Sequence, residues 1–87
     1  MYCVYILQSD LNHHKLYIGF TSRKIYLRLQ DHNYGSVDAT RKYRPWKLIY
    51  CEVYKSEKDA RNRERMLKQY GSSWGHLKKR LNNTLKM

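Results

Sequence analysis

Five side chains in this sequence have types and an order that could act together on one substrate: Tyr5, Tyr17, Arg28, His32 and Glu64. Arginine offers a planar, permanently charged fork of donors that matches phosphate oxygens. Tyrosine or histidine can move a proton. A single carboxylate suits a hard cation that keeps most of its waters. Hydrolysis of a phosphodiester needs such parts: a nucleophilic water, a cation for the developing charge, and help for the leaving oxygen.

These residues must be held by secondary structure to act together. Residues 2–8 and 15–20 are rich in β-branched and aromatic types and predict a hairpin around the polar turn Asp10–His14. Residues 24–33 predict a helix on which Ile25 and Leu29 face the sheet and Leu27 points away. Arg28 and His32, four apart, then stand together along the edge of that stripe. Residues 33–45 read as irregular, and residues 46–54 as a third strand. Ser56, with Asp59 three residues on, approaches a capping box and opens a second helix. Ala60, Met66, Leu67 and Tyr70 form its apolar side, and Glu64 falls at the margin of that face. That placement makes Glu64 the best single candidate for a metal ligand. Gly71 predicts the helix end, Gly71-Ser72-Ser73 a break, and Trp74, Leu77, Leu81 and Leu85 one stripe of a last helix. The expected order is ββαβαα. It describes an α/β (α+β) fold, a small three-stranded antiparallel sheet flanked by helices in a single domain over residues 1–87.

Bulk properties narrow the partners. The 87 residues carry 18 Lys and Arg against 7 Asp and Glu, a net charge of +11 that points to a polyanion, most simply nucleic acid. A chain this short buries only about 60% of its unfolded surface, so one modest core is expected. Nine tyrosines against one phenylalanine favour rings that pack while keeping a hydroxyl for hydrogen bonding. No apolar run is long enough for a membrane span, and the opening residues do not read as a signal peptide. The expected location is cytoplasmic. Cys3 and Cys51 sit inside apolar runs without CxxC spacing and read as small buried hydrophobes.

The ordered set resembles the GIY-YIG nuclease domain family, in particular its small stand-alone bacterial members. Cys3-Val4-Tyr5 stands at the first motif, with Cys3 in place of glycine, and Tyr17-Ile18-Gly19 at the second. Arg28, His32 and Glu64 follow in the family's order across about residues 2–81. The resemblance implies a metal-dependent endonuclease that hydrolyses phosphodiester bonds in DNA, structure-directed or weakly sequence-specific. Branched, single-stranded and damaged DNA are among the expected substrates. DNA repair, recombination and mobile-element movement are processes that use such an activity. On this reading Tyr5 or Tyr17 deprotonates or positions the water, with His32 a rival for the base. Arg28 stabilises the transition state, Glu64 holds Mg²⁺ or Mn²⁺, and Gly19 lets the backbone pass close to the site. The segment from Thr21 to Arg28 is one residue longer than the family pattern, and neither Asn82 nor Asn83 is assigned the asparagine that some relatives carry.

Taken singly, each residue has an ordinary reading. Tyr5 and Tyr17 would be strand tyrosines, Arg28 a solvated helix cation, His32 a helix-end residue, and Glu64 a partner of Lys68. His13-His14 reads as a solvated turn, and Trp46 and Trp74 read as core. Lys15, Arg41, Lys42, Arg44, Lys78 and Lys79 are the candidate DNA contacts. The alternative to an enzyme is a nucleic-acid-binding module of the same fold with little or no catalytic activity.

Overall fold

A computed structural model describes residues 1–87. The strands are β1 (Tyr2–Ser9), β2 (Leu16–Thr21) and β3 (Trp46–Tyr54), and the sheet is antiparallel in the order β2-β1-β3. The helices are α1 (Ile25–Tyr34), α2 (Asp38–Arg41), α3 (Glu57–Gln69), α4 (Gly71–Arg80) and α5 (Asn82–Lys86). The three-stranded antiparallel α+β fold is the one expected.

β1 is central and buried from Cys3 to Ser9, because helices cover both of its faces. Its alternating side chains divide the core in two. Val4 and Ile6 pack with Ala60, Leu67, Leu77 and Leu81 from the α3–α4 layer. Tyr5 and Leu7 pack with Trp46, Ile25 and Leu29 on the α1 side. Each fully buried aliphatic side chain contributes roughly 1.5–3 kcal/mol. A one-residue slip of β1 would exchange the two sets, so the pattern fixes the register.

Ser56 caps α3, its Oγ accepting from the Asp59 N–H at 3.3 Å. α3 is also tied to β3 by a network the sequence reading did not single out. Glu52 accepts hydrogen bonds from Tyr50 (2.7 Å), Tyr54 (2.6 Å) and both Nε and Nη2 of Arg63 (2.9 and 3.0 Å). Burial alone would raise the Glu52 pKa, but the bonds from Arg63, Tyr54 and Tyr50 outweigh it and hold the carboxyl below its ordinary range. Arg63 thus fixes the rotation of α3 about its axis, and its neighbour Glu64 turns toward β2.

Several expectations need correction. The 33–45 segment contains α2, whose four residues are too few for periodicity to reveal. The break after α3 is Tyr70 alone, in extended conformation, and Gly71 begins α4 instead of capping α3. The last helix is two helices, divided at Leu81. Cys51 is exposed because it lies on an edge strand beyond the cover of α1, while Cys3 on the central strand is buried; both are free thiols. Tyr70 is half-exposed at the end of α3, and Leu27 is partly buried. No helix is long and apolar enough to cross a membrane.

Candidate active site

The site is built on a glycine. Tyr5 on β1 lies opposite Gly19 on β2, and the Tyr5 phenol lies across the glycine. A methyl group at position 19 would sit 2.4 Å from Tyr5 Cζ, 2.5 Å from its Oη and 2.9 Å from a ring carbon of Tyr17. Gly19 therefore makes room for a side chain, not for a close pass of the backbone.

The Tyr5 ring reaches under α1. Its Oη lies 2.7 Å from His32 Nε2 and accepts from Arg28 Nε at 3.3 Å. His32 Nδ1 lies 2.8 Å from Thr40 Oγ1 on α2, and that hydroxyl donates to the Val37 carbonyl at 3.3 Å. A hydroxyl has one proton to donate, so Thr40 accepts from Nδ1–H. Nε2 is then the bare nitrogen and receives the Tyr5 proton. The Thr40 carbonyl is held by Trp46 Nε1–H at 2.7 Å, which clamps α2 in place. The whole chain is directional: Arg28 donates to Tyr5, Tyr5 to His32, His32 to Thr40.

Burial sets the protonation states. His32 is fully buried, deeper than the sheet-facing Ile25 and Leu29, and not at the helix edge as expected. Burial and then the Arg28 charge push its pKa down to about 4. Burial pushes the Tyr5 hydroxyl up to about 12, against the opposing pull of Arg28. Both groups are neutral at pH 7. Tyr17 is partly exposed, its ring centroid 5.1 Å from His32 and 6.4 Å from Tyr5. Arg28 is also partly exposed; its Nη1 lies 3.6 Å from Asp31, which in turn pairs with Arg23 at 2.5 Å.

Glu64 comes from the helix layer on the far side of the sheet and reaches the site at the β2 edge. Its charge contributes to the raised pKa of Tyr5. Its side chain is 21% exposed and bonds Lys68 Nζ at 2.9 Å, and that ammonium stands 5.8 Å from the centre of the Tyr17 ring. The structure therefore brings Tyr5, Tyr17, Arg28, His32 and Glu64 into one region, together with Lys68 as the partner of Glu64 and two residues not anticipated, Thr40 and Asp31. An i,i+4 spacing was the only signal for Lys68, and nothing in the sequence pointed to Thr40.

The candidate DNA contacts divide by what already holds them. Lys15 and Lys42 both stand over the Tyr43 ring, at 5.1 and 5.5 Å. Lys15 also lines a groove of about 450 Å³ with Tyr17, Lys68 and Trp74. Arg41 pairs with Asp38 and donates to the Gly35 carbonyl. Arg44 donates to the Arg41 and Tyr34 carbonyls. Lys78 and Lys79 are exposed on α4.

The donor set around Glu64 fits one kind of metal. No group of three or more His, Cys, Asp or Glu side chains converges anywhere in the protein, so a fully protein-caged ion has no place. A lone, largely buried carboxylate suits a hard divalent ion that retains waters and takes further oxygens from a substrate.

The family model described as the GIY-YIG catalytic domain matches residues 1–82. No curated protein and no solved structure matches the chain. The matched span includes both tyrosine strands, the Arg28–His32 helix and the Glu64 helix, so the chain belongs to the GIY-YIG family of nuclease domains.

Proposed function

We propose that this protein is a metal-dependent endonuclease that hydrolyses phosphodiester bonds in DNA, directed by structure or by weak sequence preference. The observation that carries the reading is the directional chain Arg28–Tyr5–His32–Thr40 with Glu64 beside it. The Nε of Arg28 is engaged by Tyr5, which leaves the outer face of its guanidinium for phosphate oxygens. Tyr17, the partly exposed tyrosine of the cluster, positions the attacking water. The proton of that water passes to the Tyr5 hydroxyl as Tyr5 gives its own to His32 Nε2. At rest His32 is a weak base, partly because Arg28 is near. A phosphate arriving at Arg28 offsets that charge and raises the basicity of His32 when it is needed. Glu64 would hold Mg²⁺ or Mn²⁺, which supplies Lewis-acid stabilisation of charge on the phosphate when bound.

The second reading, a binding module that cuts poorly or not at all, draws on the Lys68 ammonium that already engages the Glu64 carboxylate. Nicking of supercoiled plasmid with Mg²⁺ or Mn²⁺ separates the two. Arg28→Ala, which loses a transition-state donor, is expected to cut about 100-fold more slowly or worse, and Glu64→Ala, which loses the metal ligand, to lose metal-dependent cutting. Arg28→Lys should fail as well, because a point charge does not replace the fork. Mn²⁺ should broaden amide resonances around Glu64 in the wild type and not in Glu64→Ala. Equal cutting by all variants would remove these residues from the reaction, and DNA binding without cutting by the wild type would favour the second reading.

A further inference from the structure

The outer face of α1 carries two aromatic rings that the core does not use. Tyr26 and Tyr34 are 56% and 84% exposed. With Gln30 between them they repeat every four residues, forming one stripe about 12 Å long at 1.5 Å rise per residue. Leu29, Gln30, Asn33 and Ser36 join them around an open groove of about 720 Å³, within the size range of small-ligand clefts. The Asn33 amide is occupied, donating to the Trp46 carbonyl and accepting from the Trp46 N–H. Gln30 is exposed on the same face.

Arginines border the groove at both ends. Asp31, its one acidic wall residue, is neutralised by Arg23 and faces Arg28. Arg44 sits beneath the other end, donating to the Tyr34 carbonyl. The groove therefore adjoins the guanidinium that receives phosphate on the reading above.

We infer that this groove seats unpaired nucleobases of the strand whose phosphate lies at Arg28, so that the preferred substrate carries a single-stranded segment. The inference rests on that nuclease reading. Exposed tyrosines offer stacking faces, the amide of Gln30 can bond a base edge, and Arg28 at the near end holds the phosphate. In a duplex the base faces are covered by their neighbours, so duplex DNA gains nothing from the two rings. A protein partner would bring its own apolar surface, and Leu29 is the one aliphatic residue here to meet it.

Fluorescence anisotropy with a labelled oligothymidylate and with a blunt duplex of equal length, both in EDTA, tests this. Tyr26→Ala and Tyr34→Ala should each lose about tenfold in affinity for the single strand, the usual worth of a stacked base. Duplex affinity should stay within about twofold, Tyr→Phe variants should bind like wild type, and thermal melts should show all of them folded. A double alanine variant that binds oligothymidylate as tightly as wild type overturns the inference, as does an equal loss on both ligands. So does a groove whose alanine variants change only self-association in sedimentation. Wild type that binds neither ligand sinks the nucleic-acid reading itself, whereas intact binding with inactive wild type sinks only the catalytic one.

Discussion

Burial and the neighbouring Arg28 hold the His32 imidazole neutral down to a pKa of about 4, far below an ordinary histidine. The folded pKa is depressed, so its contribution to stability is complete above the unfolded value of about 6.5 and is lost as pH falls toward 4. The loss over that window is about 3 kcal/mol, a large share of what a small domain has. An NMR titration of the imidazole nitrogens should therefore show a midpoint near 4, and the melting temperature should fall across the same range. A midpoint near 6.5 would mean that the ring is not buried as described. The same spectra should show the Nδ1–H tautomer at neutral pH. Thr40→Val removes its acceptor at nearly constant shape, so the tautomer preference should weaken and stability drop by about 1–3 kcal/mol. An unchanged tautomer in that variant would remove Thr40 as its anchor.

At the level of elements, the site depends on three pieces meeting at β2. β1 supplies Tyr5, α1 clamps it from above, and α3 delivers Glu64 round the strand edge. The rotation of α3 is held by the Arg63 fork on Glu52, and the Tyr5 ring is admitted by the bare backbone of Gly19. Gly19→Ala should therefore destabilise the protein by about 1–3 kcal/mol through overpacking. It should also abolish nicking, because the ring that yields is the one that bonds His32 and Arg28. Melting temperature and plasmid nicking measure the two effects, and an alanine variant unchanged in both would show that the ring has room to shift. Gly35 has a different job: it closes α1 at φ 95°, and the Arg44 guanidinium packs where a side chain would be.

Over the whole molecule, the +11 charge overstates the cations available to a polyanion. Arg23, Arg41, Arg61, Arg63 and Lys68 already pair with carboxylates, and Arg44 holds backbone carbonyls. DNA affinity should fall linearly in log salt, with a slope of about −0.9 for each phosphate neutralised. Lys15→Ala and Lys42→Ala should each flatten that slope by about one phosphate without changing the melting temperature. Arg44→Ala should instead lower the melting temperature, since it uncaps the end of α1. The reverse pattern would place the phosphate path at Arg44 and away from the two lysines over Tyr43.

The strands, α1, α3 and the α+β class were legible in residue patterns, because alternation and 3.6-residue periodicity are local consequences of burying one face. The motif tyrosines, Arg28, His32 and Glu64 were legible from type and order. Their arrangement was not. Glu64 lies on the opposite helix layer, and its partner Lys68 stands near the Tyr17 ring only because a three-stranded sheet is narrow enough to reach around. His32 looked like a helix-edge residue because periodicity assigns a direction, not a depth; Tyr5 and Tyr17, remote in sequence, and Thr40 of α2 close around the ring. Thr40 orients the imidazole from within a four-residue helix that has no periodic signature. The chain alone thus determined which side chains were available and on what elements. Tertiary packing decided which are buried, which proton points where and which cations stay free, because those depend on contacts between segments that no local pattern encodes.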